Sequence, residues 1–281
     1  MRKNFLTIII ISLLIISNSQ AQTAAGLLSK MLDAVNAFKC GKYVLHKEER
    51  IDGKMFSTEM IVKVNSSPLK IYSYSINPDP GAEILFLAGM NNGNVLVKPN
   101  KFPYVNLNLS PFGSILRKNQ HHTVYEMGFS YIGSIVSHSI LTKQKEFYSS
   151  LSYAGETDWK GKSYYKLVID NTTYAIENYT VLQGENLYII GRKLFVGDYE
   201  ILSLNKNISD FDDVKPGQVI KVPNSYARKI ELYLDKTNYL PVVQVIYDEK
   251  GLYAQYEFSS LLVNCDIKPE EFTSTYKDYK F

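Results

Sequence analysis

After one apolar run near its start, the sequence has no second stretch of comparable length, so nothing further along reads as a bilayer span. It has no Cys just behind that run, where lipid attachment requires one; the first is Cys40. It also lacks blocks of like charge. The formal charge of +3 falls to +1 once Arg2 and Lys3 are set aside, and the remaining charges are interspersed, so no nucleic acid or acidic membrane is an expected partner. With four His and two Cys, the chain is poor in metal ligands, and neither a metal nor a cofactor is expected.

What the sequence does contain begins with an address. Arg2 and Lys3, the apolar run Leu6 to Ile16, and Ser19-Gln20-Ala21 have the order of an export signal with a small-residue cleavage site, over residues 1–21. The run is shorter than the roughly 20 residues a span needs. An exported protein of the periplasm or cell envelope, without a lipid anchor, is the expectation. Cys40 and Cys265 then reach a compartment where disulfides form. Either they bridge the N-terminal helix to the last strand or they pack as two small apolar groups.

The 22 Tyr and 13 Phe favour strands with one face packed and one wet. First, however, Leu27, Leu28, Met31, Leu32, Val35 and Phe38 recur at helical spacing and predict a helix from Ala24 to Phe38, ended by Gly41. The pattern then becomes that of strands. Tyr43 to Ile51 and Met55 to Val64 flank Asp52-Gly53 and read as a hairpin; Leu69 to Tyr74, Ala82 to Leu87, Asn94 to Lys98 and Tyr104 to Leu109 follow. A second helix is predicted from Thr123 to Phe147, with Gly128 and Gly133 as weak points. Strands resume at Tyr148 to Tyr153 and Ser163 to Asp170, and again at Ile230 to Leu234, Val242 to Tyr247 and Tyr253 to Phe258.

Between those last two groups the grammar changes to strand, helix, helix, strand: Tyr179 to Leu182, Leu187 to Lys193, Tyr199 to Leu204 and Val219 to Val222. A unit that brings its own ends together can sit in an exposed loop at little cost. Its residues Tyr179-Thr180-Val181, Gly184-Glu185-Asn186-Leu187, Leu202-Ser203-Leu204-Asn205, Asn207-Ile208 and Lys215-Pro216-Gly217-Gln218 closely resemble a LysM domain over 179–223. The resemblance implies binding of N-acetylglucosamine glycans, peptidoglycan among them, between two loops. Carried over by position, the glycan-binding residues are Gly184, Glu185, Asn186, Leu187, Asn205, Asn207, Ile208 and Ser209. Leu187 and Ile208 are expected to lie on the apolar sugar face, and the Asn side chains to bond acetamide and hydroxyl groups. Glu185, Asn186, Gly191 and Lys206 depart from the commoner residues of that family, Asp, Thr or Ser, Ala and Pro.

The flanks carry a second resemblance. Tyr233-Leu234-Asp235-Lys236-Thr237-Asn238-Tyr239-Leu240-Pro241-Val242 with Tyr247 to Gly251 looks like the hairpin of lipoprotein-carrier (LolA-type) half-barrels. Pro80-Gly81-Ala82-Glu83, Gly128-Phe129 and the closing Asp278-Tyr279-Lys280-Phe281 also resemble an envelope family of unknown function. The implied fold is α+β: a curved antiparallel sheet, or half-barrel, with packed helices over 24–175 and 225–281, carrying the βααβ LysM-like module. The carrier resemblance implies an alternative function, carriage or sensing of an apolar ligand, a lipid or lipoprotein.

No catalytic reading survives inspection. His121, His122 and Glu126 fit no zinc spacing and are expected to be a solvated helix start. Gly128-Phe129-Ser130-Tyr131-Ile132-Gly133 puts its second Gly one residue late for a nucleophile elbow. Asp210, Asp212 and Asp213 lack the Gly and distal Glu of a calcium loop. Glu48 and Glu49 are adjacent in a strand and face opposite sides. A protein that binds rather than catalyses is expected.

Overall fold

The computed structural model describes residues 23–281; the expected export signal at 1–21 lies outside the described residues. Helix α1 (Ala24–Ala37) leads into β1 (Cys40–Ile51), β2 (Lys54–Ser66), β3 (Leu69–Asn77), β4 (Glu83–Leu87), β5 (Val95–Lys98) and β6 (Leu107–Leu109). Helices α2 (Ser114–Arg117), α3 (Ser130–Thr142) and α4 (Gln144–Ser150) precede β7 (Leu151–Trp159) and β8 (Lys162–Asp170). Next come β9 (Ile176–Thr180), α5 (Leu187–Leu194), α6 (Asp198–Leu204) and β10 (Val219–Pro223), and finally β11 (Lys229–Asp235), β12 (Pro241–Asp248) and β13 (Gly251–Val263). Eleven strands form one curved, open antiparallel sheet in the order β6-β5-β4-β3-β2-β1-β13-β12-β11-β8-β7.

Alternation writes this sheet. β1 buries every second residue from Gly41 to Ile51, and at its end Asp52 and Gly53 both take positive φ, +48° and +80°. Two such residues make the turn whose twist matches a right-handed hairpin, so β1 and β2 pair in register from Ile51↔Lys54 to Cys40↔Asn65. On the inner face α1 lays Leu27, Leu28, Met31 and Val35, and α3 lays Ile132, Ile135 and Val136. Each such side chain contributes about 1.5–3 kcal/mol when fully buried. Phe129 joins the layers, its ring 5.1 Å from Phe38 and 4.4 Å from Phe258. On the outer face Tyr279 stacks on Tyr72 at 3.6 Å, and Glu271 bonds Lys42 at 2.9 Å and Lys63 at 2.7 Å.

Three expectations need correcting. Helix α1 stops at Ala37, one residue short, and Gly41 is not its terminator but a member of β1. Gly41 is needed there because a Cβ would lie 2.8 Å from the Phe38 ring. The helix predicted from Thr123 to Phe147 is three pieces. Thr123 and Glu126 cap each other around a single 3-10 turn, Gly128 takes φ +91°, and Lys143 (φ −137°, ψ 44°) separates α3 from α4. Gly133 serves packing instead: a Cβ would meet Val35 Cγ1 at 2.7 Å, so its absence lets α1 and α3 approach. The strand predicted from Tyr104 shrinks to Leu107–Leu109, Tyr104 itself lying at φ +57°. The two cysteines are unbridged; the Cys40 thiol donates to the Cys265 carbonyl at 2.9 Å.

The βααβ unit emerges between β8 and β11, which pair directly from Lys229↔Asp170 to Asp235↔Tyr164. Its two strands form a separate sheet, from Val219↔Thr180 to Pro223↔Ile176. A core of its own, including Val181, Leu187, Ile190, Ile201, Ile208 and Ile220, fills the space between that sheet and its helices. The chain enters and leaves at one point, where Asn224 N–H donates to Ala175 O at 2.9 Å and Ala175 N–H to Asn224 Oδ1 at 3.1 Å.

Candidate functional site

Of the two loops that the LysM resemblance singles out, the first, Gly184 to Leu187, is tied to the segment just behind the second, Asn205 to Ser209. Gly184 turns the chain off β9 at φ +80°, a conformation that costs a residue with a Cβ far more. Asn186 then caps α5, accepting from Ile189 N–H at 2.9 Å. The same Asn186 donates to Asp212 Oδ1 at 2.8 Å, and Leu187 N–H donates to Phe211 O at 2.9 Å. Those two bonds join residues 184–187 to the segment behind Asn205. Ser209 is tied within that segment, its N–H and hydroxyl both donating to Asp213 at 3.1 and 2.9 Å. Asp212 N–H closes on Asp210 Oδ1 at 2.9 Å, so the three aspartates fasten the loop as well as solvating it.

Three of the expected glycan contacts are corrected. Leu187 and Ile208 are buried in the unit's own core and cannot lie against a sugar. Asn205 is buried too: its amide donates to Ile201 O at 2.7 Å and Lys221 O at 2.8 Å and accepts from Lys221 N–H at 2.8 Å. Its chemistry is spent holding α6 to β10. Glu185 accepts from Tyr179, Lys193 and Leu182 N–H; despite the opposing effect of desolvation, these bonds keep its carboxyl below the ordinary carboxylate range. At the surface remain the Gly184 backbone, Asn207, Ser209 and part of Asn186. Leu182 was not foreseen; 51% exposed, it is the apolar side chain this loop presents to water.

The unit is not loosely hung on the large sheet. Arg117, from α2, reaches Asp198 at the start of α6 through two bonds, 2.7 and 2.9 Å, with both side chains buried. The Arg117 guanidinium also lies 3.9 Å over the Phe211 ring. Tyr174 donates to Glu200, Tyr199 accepts from Asp52 N–H at 3.1 Å, and Phe195 stacks on His138 at 3.9 Å. Burial pushes the Glu200 carboxyl up to about 8, with Asp248 and Glu249 adding to the shift and Tyr174 and Arg50 opposing it. Gly191 explains a departure from the family pattern. A Cβ there would sit 2.9 Å from Val196 O and 3.1 Å from Asp198 N, so the tight α5–α6 turn leaves no room for Ala.

A second candidate site lies under the inner face of the large sheet. Its cavity, about 470 Å³, is lined by apolar side chains such as Met60, Ile84, Leu116 and Phe258. Its floor is polar. Lys47 donates to Gln120 Oε1 at 3.0 Å and to Glu49 at 3.3 Å, and Tyr256 donates to Glu49 at 2.8 Å. Burial opposes Glu49 ionisation, but the Lys47 ammonium and the Tyr256 hydroxyl outweigh it and hold the carboxyl well below its usual range. His122 bonds Tyr226 at 3.2 Å, and burial lowers its imidazole to about 3. His121, His122 and Glu126 are therefore not a solvated helix start: His122 and Glu126 line this cavity, and His121 is buried, stacked on Tyr253 at 4.1 Å. Among the described residues no group of three or more His, Cys, Asp or Glu side chains is placed to hold a metal. Nor does any described helix have the length and apolarity to cross a membrane.

No curated protein matches the chain. Among solved structures it is similar to an uncharacterized conserved protein from Thermus thermophilus, at 11% identity over 92% of this chain and 96% of that one, TM-score 0.40. It is similar also to the lipoprotein LppX of Mycobacterium tuberculosis, at 14% identity over 87% and 98% of the two chains, TM-score 0.40. A LolA superfamily protein from Nitrosomonas europaea matches at 12% identity over 91% and 100%, TM-score 0.35. A LysM domain model matches residues 179–223, and a second family model matches 40–182, half of the chain. The chain thus belongs to the family described as Protein of unknown function (DUF1571), and it carries a LysM domain.

Proposed function

We propose that this is an exported, non-catalytic protein of the bacterial cell envelope that binds peptidoglycan or another N-acetylglucosamine glycan through its LysM domain. In this reading 24–175 and 225–281 form one domain and 179–223 the module inserted in it. The observation that carries it is the LysM match over a unit whose first loop is bonded, through Asn186–Asp212 and Leu187–Phe211, to the segment just behind the second. The glycan lies across the exposed rim, with Asn207, the Gly184 backbone and Asn186 bonding its acetamide and hydroxyl groups and Leu182 meeting its apolar face. A single copy gives modest affinity and localises the protein without locking it in place. Sedimentation of the full mature chain with insoluble peptidoglycan tests this: the protein is expected in the pellet, and its Asn207→Ala, Leu182→Ser variant in the supernatant. A wild-type chain that stays in solution removes the reading.

The cavity favours a second function in the same molecule, carriage or sensing of a lipid or lipoprotein ligand by the large domain. Its volume lies within the ~300–1,000 Å³ range of small-molecule sites, and its walls are largely apolar. Solvent extraction of the purified protein followed by mass spectrometry is expected to yield a reproducible acyl species.

A further inference from the structure

Two charges stand on the inner face of the sheet where the rest of the strand is apolar. Lys47 and Glu49 alternate with outward residues of β1 and point the same way as Leu45 and Ile51, yet they are 6% and 1% exposed. As a source of stability the choice is poor, because an apolar pair of similar volume serves a fold as well or better. What distinguishes their position is the cavity above them.

The hydrogen-bond inventory shows what that floor leaves open. Each Glu49 oxygen already accepts one bond, one from Tyr256 and the other from Lys47. Lys47 has three donors, and Glu49 and Gln120 take two. Gln244 donates to Pro241 O at 3.2 Å, and among the described residues no protein donor reaches its carbonyl oxygen. Lys47 and Gln244 both lie opposite Tyr256, on the strands to either side of it. One donor and one acceptor are thus offered from strands two spacings apart, their backbones separated by about 10 Å. Met60, Ile84, Val97, Leu116 and Phe258 surround them. At the floor the Lys47 ammonium and the Glu49 carboxylate cancel, while Lys118, Asp79 and Glu126 line the cavity elsewhere. A carboxylate or phosphate brought to this floor meets a Lys47 already paired with Glu49 and adds a charge which that pair does not balance.

We propose that the cavity binds a single-chain amphiphile with an uncharged, multiply hydroxylated head, of the monoglyceride class, seated head-inward between Lys47 and Gln244. This rests on the second reading above and sharpens it: the site selects against fatty acids and phospholipids, which a plain apolar groove accepts. The tail runs along Met60, Ile84 and Phe258 toward the rim at Pro111 and Ile115, the latter 67% exposed.

The test compares heads on one tail. Decanoylglycerol, decanoate and decyl phosphate are each titrated into the delipidated full mature chain at pH 7.4, with binding read by calorimetry and native mass spectrometry. The glyceride is expected to bind about tenfold or more tightly than either anion. Glu49→Gln removes the cancelling anion and leaves Lys47 uncompensated, so in that variant the order reverses toward decanoate. Anions bound by the wild type as tightly as the glyceride overturn the head-group selectivity and leave the carrier reading standing. Binding of none of the three overturns both. The wild-type comparison decides the matter even if the variant does not fold.

Discussion

Arg117 and Asp198 share two hydrogen bonds, Nη1 to Oδ2 at 2.7 Å and Nη2 to Oδ1 at 2.9 Å, with both side chains withdrawn from water. They are the polar centre of the contact between the large sheet's domain and the LysM unit. A buried pair of this kind adds little over an apolar substitute, but losing one member strands the other's charge. Arg117→Met is therefore expected to destabilise the protein by about 3–5 kcal/mol, and Arg117→Met with Asp198→Leu by much less. Urea denaturation of the three proteins checks this; equal losses in the single and double variants would show that the two residues are not coupled.

Gly191 sits where its LysM relatives commonly have Ala. Helix propensity alone makes Gly191→Ala a gain of about 1 kcal/mol. The absent Cβ instead faces Val196 O at 2.9 Å and Asp198 N at 3.1 Å, and Asp198 is the partner of Arg117. Gly191→Ala is expected to lose about 1–3 kcal/mol through overpacking. A raised melting temperature in this variant would mean that the turn relaxes more easily than its backbone contacts imply.

Much of this architecture was legible in the sequence because it is written in periodicity. The inward alternation of Tyr43, Leu45 and Ile51, the Asp52-Gly53 turn and the helical recurrence of Leu27, Leu28, Met31 and Val35 each fix an element without outside help. The LysM unit was legible for a different reason, a pattern spread over its whole length. What failed was assigned by residue type without knowledge of burial. Leu187 opens α5 and Ile208 lies in the loop after α6, and in so small a unit both must supply core side chains. Glu48 and Glu49 do face opposite sides of β1, as alternation requires, but nothing in the sequence said which of them, or that Lys47, would be buried beside a cavity. Arg117 and Asp198 are distant in sequence, so nothing local marked either as more than a surface charge.

Asn205 and Asn207, two residues apart, are expected to fail in different ways. Asn205→Ala removes a buried amide and leaves Ile201 O, Lys221 O and Lys221 N–H without partners, a loss of about 1–3 kcal/mol. Asn207 is exposed, and Asn207→Ala is expected to leave the melting temperature unchanged while lowering affinity for chitin oligomers. Calorimetric unfolding and oligomer titration of both variants separate the roles. Intact binding in a fully folded Asn207→Ala protein would move the sugar away from this loop.

Glu200 makes the junction between the two parts sensitive to pH. It is buried in α6 and accepts the Tyr174 hydroxyl, with Asp248, Glu249 and Arg50 as the charges around it. Burial raises its carboxyl from the ordinary 4.5 to about 8, so the folded chain holds a proton that the unfolded chain has released. Where the native state binds more protons, stability falls as pH rises. The contribution is therefore complete below pH 4.5 and lost progressively up to about 8, with a slope reaching about 1.4 kcal/mol per pH unit. Glu200→Gln keeps the acceptor for Tyr174 and removes the titration. Denaturation curves between pH 5 and 8 are expected to lose stability in the wild type and to stay flatter in the variant. Parallel pH profiles would place the titration elsewhere and leave Glu200 as an ordinary buried acceptor.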